Sequence, residues 1–256
     1  MSGQSRHPSR LWIVRHGESA GNVARDAAQA AGAQRIDIPE RDVDVPLSPL
    51  GLQQGEALGR WFAQMPDGER PNLVLASPYR RALQTAEAIR AAGGLAVDTP
   101  RILLDERLRE KEFGVLDRLT RAGIEALHPE QAQLRSELGK FYHRPPGGES
   151  WCDVILRLRG ALDTLSLHHG GRRVLVVAHQ VVVLCARYLL EDMDETGILG
   201  VDAEGDVANC GVTEYAFDAA AHPDGGLRLA GYNFVAPLAA QGAPVTSEPD
   251  AEDVAR

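Results

Sequence analysis

The chain has 256 residues, of which 44% are hydrophobic and 25% charged, so it is long enough to bury one substantial core. A formal net charge of -9 argues against nucleic acid as a partner, because phosphate backbones are bound through clustered lysines and arginines. No apolar run is long enough to span a membrane, the first residues lack the apolar segment of a secretory signal, and the three cysteines form no CxxC pair. The sequence therefore predicts a single-domain cytoplasmic protein that acts without nucleic acid or membrane.

The first predicted strand covers residues 11–15, LWIVR, since a short apolar run is typical of a strand that is buried on both faces. Arg15 ends this strand and His16 follows it, which places both at the edge where open α/β sheets bind their ligands. We expect residues 1–10 to form a polar leader and residues 22–46 to form a long connection.

Three further elements precede the middle of the chain. A helix is predicted over residues 49–65, with Ser48 as its N-cap and a proline at its first position. The apolar run LVLAS predicts a second strand that ends at Ser77. Pro78 is typical of another helix start, with Ser77 as the N-cap, and that helix should end at the next pair of glycines.

The second half of the chain continues the alternation of strands and helices. A polar, helix-prone segment around residues 118–148 is expected to form a small helical lid. Ser150 and Asp153 resemble a capping box for an amphipathic helix, and RVLVVAH predicts a third apolar strand that ends at His179. VTEYAFD and LRLAGYNF alternate in polarity and predict an antiparallel hairpin, whereas residues 236–256 predict a disordered tail.

The order of these elements predicts an α/β fold. We expect a three-layer sandwich in which a mostly parallel sheet with an antiparallel edge carries helices on both faces. An exposed hairpin at the edge of such a sheet could mediate a homodimer. The carboxyl ends of its parallel strands would meet along one crevice, so that crevice is the place to look for chemistry.

Three predicted strands deliver reactive or basic side chains to this crevice. Arg15 and His16 follow the first strand, Arg81 follows the second and His179 ends the third. Two arginines can bind the oxygens of a phosphate bidentately, and the N-terminus of the helix that follows the second strand adds backbone N–H groups. Neutral imidazole can attack phosphorus near neutral pH, which makes His16 the candidate nucleophile.

A leaving alcohol would also need a proton, and a carboxylic acid could donate it. Glu106, Glu110 and Glu112 lie in one predicted loop, and composition does not choose among them. Two histidines and a glutamate could instead hold zinc, but His16 and His179 show no HxxxH or HExxH spacing and each has an arginine nearby. We therefore expect no metal, and no GxxxxGK[ST] loop or other motif indicates a cofactor.

Five motifs occur in an order that resembles the histidine phosphatase superfamily, also called phosphoglycerate mutase-like, in its phosphatase branch. They are RHGES with a downstream Asn22, SPYRRALQTA, LREKEFG, GGES before an amphipathic helix, and VLVVAHQ. The similarity covers residues 11–217, and it implies one domain of this family over residues 11–235. Two departures concern the substrate: Gln180 stands where the family usually has glycine, and VLD replaces a WEG-like sequence.

The resemblance implies a role for each candidate residue. His16 would become phosphorylated, while Arg15, Arg81 and His179 would complete the phosphate pocket. Glu110 would be the acid, because the family's acid lies four residues before a glycine. Asn22 and Gln180 would be further substrate contacts. The expected phosphate- and substrate-binding residues are therefore Arg15, Asn22, Arg81, His179 and Gln180.

The resulting prediction is a metal-independent phosphatase that hydrolyses phosphomonoesters of small metabolites through a phosphohistidine intermediate. One alternative is a phosphoglycerate-type mutase, which returns the phosphate to another hydroxyl of the substrate. The other is a protein that binds phosphorylated ligands without turning them over. A pure binder would have no use for a suitably placed acid, and this favours the enzyme.

Overall fold

The computed structural model describes residues 6–99, 101–223 and 225–247. In this part of the chain six strands form one sheet. The strands are β1 (Arg10–Arg15), β2 (Leu73–Ala76), β3 (Ile102–Leu104), β4 (Arg173–Ala178), β5 (Val212–Asp218) and β6 (Gly226–Phe234). The helices are α1 (Ala20–Ala30), α2 (Pro49–Ala63), α3 (Arg80–Ala91), α4 (Arg121–Leu127), α5 (Pro129–Tyr142), α6 (Trp151–His168), α7 (Gln180–Leu190), α8 (Glu195–Glu204) and α9 (Ala236–Ala240).

The sheet has the order β3-β2-β4-β1-β5-β6. Strands β3, β2, β4 and β1 pair in parallel, while β5 pairs antiparallel with β1 and β6 pairs antiparallel with β5. The predicted α/β class with a mostly parallel sheet and an antiparallel edge hairpin is therefore confirmed. Because Arg15 is in register with Ala178 and Ala76 with Val177, the carboxyl ends of the three central strands meet at one edge.

Alternate residues of the central strands enter two separate cores. On one face Leu11, Ile13 and neighbouring strand residues pack against α6 and α7. On the other face Trp12 and Val14 pack against α2 and α3. Burial of both faces explains why these strands are continuously apolar in the sequence. Helix α6 begins with the predicted capping box of Ser150.

The predicted connection over residues 22–46 is wrong in its first part, because it includes most of α1. Ser19 is the N-cap of this helix, and its side chain and that of Asn22 form a capping box. The rest of the connection has no α-helix and contains a 3-10 turn over Asp42–Asp44. The predicted helix start at Pro78 is also shifted, since Tyr79 is the N-cap of α3 and Ser77 does not cap it.

The predicted leader and tail differ from the structure as well. Arg10 belongs to β1, and Ser9 N–H donates to Arg172 O at 2.9 Å, while residues 1–5 lie outside the described residues. The first part of the predicted disordered tail forms α9, in which Leu238 is fully buried against the core. The remainder, residues 248–256, lies outside the described residues.

Two helices occupy the segment predicted as a lid. A small separate core joins Leu116 and Leu119, which precede α4, to Ile124 of α4. Thr120 caps α4 and also donates its hydroxyl to Ala33 O at 2.6 Å, which ties the segment to the end of α1. Across the described residues, we find no helix that combines the length and the apolar character needed to cross a membrane.

Candidate active site

His16 lies at the carboxyl edge of the sheet, one residue beyond β1. Its backbone N–H donates to Ala178 O at 2.9 Å, which extends the pairing with β4, and Asn209 Nδ2 donates to His16 O at 3.1 Å. The residue after His16 must be glycine, because a Cβ on Gly17 would lie 2.5 Å from Gly51 O. The close approach of α2 therefore explains the glycine of the RHG motif and fixes the imidazole in the crevice.

The hydrogen bonds of His16 define which ring nitrogen is available for reaction. Its Nδ1 lies 2.7 Å from Gly17 O, a group that can only accept, so Nδ1 carries the proton. Arg81 Nε donates to His16 Nε2 at 3.2 Å, so Nε2 is the unprotonated nitrogen and its lone pair faces the Arg81 guanidinium. The ring is completely buried and thus held in one orientation.

His179 lies beside His16, and Glu110 lies beside His179. The two imidazole centroids are 5.2 Å apart, and His179 Nε2 and Ser77 Oγ form a hydrogen bond of 2.8 Å. Glu110 Oε2 lies 3.9 Å from His179 Nδ1, and Glu110 Oε1 accepts from the backbone N–H of Lys111 at 2.7 Å. The geometry thus places a carboxyl group beside the histidine pair.

The structure distinguishes the three glutamates that composition left open, among which the resemblance points to Glu110. Glu110 is 1% exposed and lies in the crevice, whereas Glu106 and Glu112 are exposed. Glu112 accepts a hydrogen bond of 2.9 Å from the Tyr79 hydroxyl. Burial, followed by the negative charge of Glu112 and this hydrogen bond, raises the pKa of Tyr79 and keeps the phenol protonated.

Both predicted arginines are buried at the crevice. Arg15 Nη1 donates to Val207 O at 2.5 Å. Arg81 Nη1 donates to Asp42 O at 2.7 Å and to Asp42 Oδ1 at 2.8 Å, in addition to its contact with His16. A carboxylate that binds a guanidinium uses the same N–H donors as a phosphate would. Asp42 therefore occupies the place on Arg81 where an anionic ligand could bind. Sequence reasoning missed Asp42, because nothing in an irregular connection indicates its distant partner.

Asn22 and Gln180 are near the crevice but their side chains serve local structure. Asn22 Oδ1 accepts from the backbone N–H and the hydroxyl of Ser19 within the α1 capping box, and Asn22 also lines the adjoining cleft. Gln180 is the first residue of α7, and its Nε2 donates to Asp206 Oδ1 at 2.9 Å. Their predicted contacts with substrate remain predictions.

The loop that carries Glu110 is clamped by α6 and its cap region. Arg157 donates to Arg107 O at 2.6 Å and to Glu110 O at 3.1 Å. Glu149 accepts from Arg157 at 3.0 Å and from the backbone N–H of Glu112 at 3.1 Å. These bonds fix the loop backbone on both sides of the candidate acid. No sequence pattern predicts this clamp, because it joins segments that are far apart in the chain.

A cleft of about 890 Å³, including its open mouth, adjoins the crevice. It extends from Arg81 and Asn22 to α4 and α5, and Lys111 of the acid loop also lines it. Burial and the nearby Arg135 guanidinium lower the pKa of Lys111 to about 8. Among the residues that the structure describes, no three His, Cys, Asp or Glu side chains are grouped so as to hold a metal ion.

The protein is thus an α/β fold in which two histidines, two arginines and a glutamate lie near the carboxyl ends of the parallel strands. The model of the histidine phosphatase superfamily (branch 1) matches residues 11–222, which is most of the chain. The chain belongs to this superfamily, and the predicted family is confirmed. It is therefore an enzyme of the phosphatase or mutase type.

Some of the similar proteins are named as mutases and others as phosphatases. A probable phosphoglycerate mutase from Yersinia enterocolitica is 34% identical over 178 residues, which are 69% of this chain and 72% of that protein. A mycobacterial glucosyl-3-phosphoglycerate phosphatase, solved as a complex with VO3, is 27% identical, with a TM-score of 0.67, and covers 89% of this chain and 100% of that chain. An α-ribazole phosphatase from Shigella flexneri is 21% identical, with a TM-score of 0.65 over 88% of this chain and 96% of that chain, and shows the fold alone.

Proposed function

We propose that this protein is a phosphatase that hydrolyses phosphomonoesters of small metabolites by way of a phosphohistidine. In the first step His16 Nε2 forms a bond to phosphorus in line with the breaking P–O ester bond, and Glu110 gives a proton to the departing alcohol. Arg15, Arg81 and His179 stabilise the charge on the equatorial oxygens. In the second step Glu110 takes a proton from water, which attacks phosphorus, and the P–N bond breaks to release phosphate.

The observation that carries this proposal is the hydrogen bonding of His16. With Nδ1 protonated and bonded to Gly17 O, the lone pair of Nε2 is directed toward the Arg81 guanidinium, where a phosphoryl group would be bound. If Arg81 binds the phosphoryl group, the attacking nitrogen of His16 already lies next to it, which is the arrangement that in-line attack requires. Neither step requires a metal ion or an organic cofactor.

A phosphoglycerate-type mutase is the second candidate, supported by the 34% identity to the probable mutase. In a mutase the same phosphohistidine would transfer its phosphoryl group to another hydroxyl of the bound substrate instead of to water. The chemistry of the first step is the same, so the two functions differ in how well the site excludes water and retains the intermediate.

A panel of metabolite phosphomonoesters with chelator present tests the proposal. We expect release of inorganic phosphate from some members, unchanged by the chelator, and faster than isomerisation of 3-phosphoglycerate to 2-phosphoglycerate. Faster isomerisation would favour the mutase. A protein that binds members of the panel without turning them over would be a binding protein, and the proposed hydrolysis would be wrong.

A further inference from the structure

Thr246, in the segment that follows α9, contacts two amide side chains that reach the loop carrying His16. Its hydroxyl donates to Asn209 Oδ1 at 2.9 Å and accepts from Gln54 Nε2 at 2.9 Å. Its backbone oxygen also accepts from the Asn209 N–H at 2.8 Å. Both amide residues are completely buried, so protein groups rather than bulk water must satisfy their hydrogen bonds.

The far ends of both amides hold the loop that carries His16. Asn209 Nδ2 donates to His16 O at 3.1 Å, and Gln54 Oε1 accepts from the Glu18 N–H at 2.8 Å. Thr246 engages the oxygen of one amide and the NH₂ group of the other. It therefore selects, for each amide, the orientation that presents the required donor or acceptor to the loop.

These two hydrogen bonds act on the peptide units on both sides of Gly17. The first unit carries His16 O, and the second carries Gly17 O together with the Glu18 N–H. Gly17 O lies 2.7 Å from His16 Nδ1 and holds the proton on that nitrogen. Because a peptide unit is planar, fixing its N–H also fixes the direction of its carbonyl oxygen. The contact of Gln54 with Glu18 therefore controls the acceptor that sets the tautomer and orientation of the imidazole.

Other contacts hold the same loop without the help of Thr246. The Gly17 N–H donates to Thr85 Oγ1 at 3.0 Å, and the Cys210 N–H donates to Arg15 O at 3.0 Å. Thr246 itself is only partly buried. Loss of its hydroxyl should therefore loosen the orientation of the nucleophile without unfolding the loop, which makes its role open to measurement.

We propose that Thr246 is a positioning residue of the active site, which acts through Gln54 and Asn209 to hold His16 in the orientation and tautomer for attack on phosphorus. This inference rests on the proposed function and adds to it a residue from the segment that follows α9. The hydroxyl acts through the two amides and not on the substrate, so it should affect the rate of attack more than the binding of phosphate.

Removing only the hydroxyl tests this role. Thr246→Val keeps the shape of the side chain, and we expect kcat/KM to fall about tenfold for alkyl phosphates and p-nitrophenyl phosphate alike, because the nucleophile and not the acid is affected. The inhibition constant of inorganic phosphate should change by less than about twofold, whereas a general disturbance of the pocket would raise it. Thr246→Ser, which keeps the hydroxyl, should restore kcat/KM. An unchanged kcat/KM in Thr246→Val, or a loss that Thr246→Ser shares, would overturn the proposal.

An NMR measurement tests the relay independently of hydrolysis. In ¹⁵N-labelled protein the His16 Nδ1–H signal is identified by its absence from His16→Ala. We expect this proton to exchange with water about threefold to tenfold faster in Thr246→Val than in the wild type and Thr246→Ser. Thr99→Val is the control, because it removes a hydroxyl that donates to Pro71 O at 3.2 Å, and it should change neither exchange nor kcat/KM.

The two readouts separate this proposal from the proposed hydrolysis. Equal exchange rates in Thr246→Val and the wild type would overturn the relay even if the protein hydrolyses phosphomonoesters. Faster exchange in Thr246→Val, restored in Thr246→Ser, would support the relay even if the wild type hydrolyses no member of the panel.

Discussion

The reactive form of His16 is set by two hydrogen bonds, one from each side of the ring. Gly17 O holds the proton on Nδ1 and Arg81 directs the lone pair of Nε2, so the tautomer needed for attack is the one that the backbone stabilises. The sequence motifs predicted these residues, because they follow strand ends. Composition did not choose the acid among Glu106, Glu110 and Glu112, because their burial depends on how the loop packs, and only the family resemblance pointed to Glu110.

Replacing the candidate acid should affect substrates according to their leaving group. Glu110→Gln should lower kcat/KM for alkyl phosphates by about 10²- to 10⁴-fold, because the departing alkoxide needs a proton. The loss should be much smaller for p-nitrophenyl phosphate, whose leaving group is stable as an anion. Steady-state kinetics with both substrates checks this, with the exposed Glu106→Gln as the control. Equal losses on both substrates would contradict the role of acid.

At the scale of elements, the site depends on segments that sequence patterns describe poorly. The signal for α1 was present, since Ser19 and Asn22 form a capping box, but the residues that α1 buries are Asn22, Arg25 and Ala28, none of which is a large apolar side chain. The 3-10 turn over Asp42–Asp44 had no signal, because its importance comes from the long-range ion pair with Arg81. The strands and α6 were predictable because their apolar period reflects burial directly.

The turn that carries Asp42 should compete with anionic substrates for Arg81. Asp42→Asn removes the charge and keeps the size, so we expect KM for a phosphomonoester and the inhibition constant of inorganic phosphate to fall about threefold to tenfold. Asp44→Asn is the matched control, because Asp44 pairs with the exposed Arg41 at 2.6 Å. An unchanged or higher inhibition constant in Asp42→Asn would show that the carboxylate does not compete.

The clamp between α6 and the acid loop should act through the position of Glu110. Arg157→Gln removes donors to the carbonyl oxygens of Arg107 and Glu110, so we expect kcat/KM for alkyl phosphates to fall about tenfold or more. The value for p-nitrophenyl phosphate should change little. Arg159→Gln, at an exposed position of the same helix, controls for loss of charge. Parallel losses on both substrates would indicate a general effect on the structure.

At the scale of the whole molecule, the sheet with its two cores was predictable, while the docking of the last described segment was not. Residues 236–247 are rich in alanine and proline, a composition typical of disorder, yet Leu238 enters the core beside α2. Gln54 Nε2 also donates to Pro244 O at 3.0 Å and to Thr246 Oγ1 at 2.9 Å. One buried leucine and a few polar contacts therefore outweigh an unfavourable composition.

The docked segment should contribute to stability. Leu238→Ala should lower the free energy of unfolding by about 2–4 kcal/mol, because it leaves a cavity in a fully buried position. Urea unfolding followed by circular dichroism measures this. Val245→Ala, at a position that is 46% exposed, should change stability by less than about 0.5 kcal/mol. Equal stability of Leu238→Ala and wild type would mean that the segment does not dock in solution.

The central claim is that phosphorus is transferred to the Nε2 atom of His16. Rapid quenching at neutral or alkaline pH during turnover of a hydrolysed phosphomonoester, followed by intact-mass and peptide analysis, tests it most directly. We predict a protein species that carries one phosphoryl group, located on His16, formed and lost at rates consistent with turnover and absent from His16→Ala. A His16→Ala protein that keeps full turnover, or a phosphoryl group found on another residue, would contradict the account.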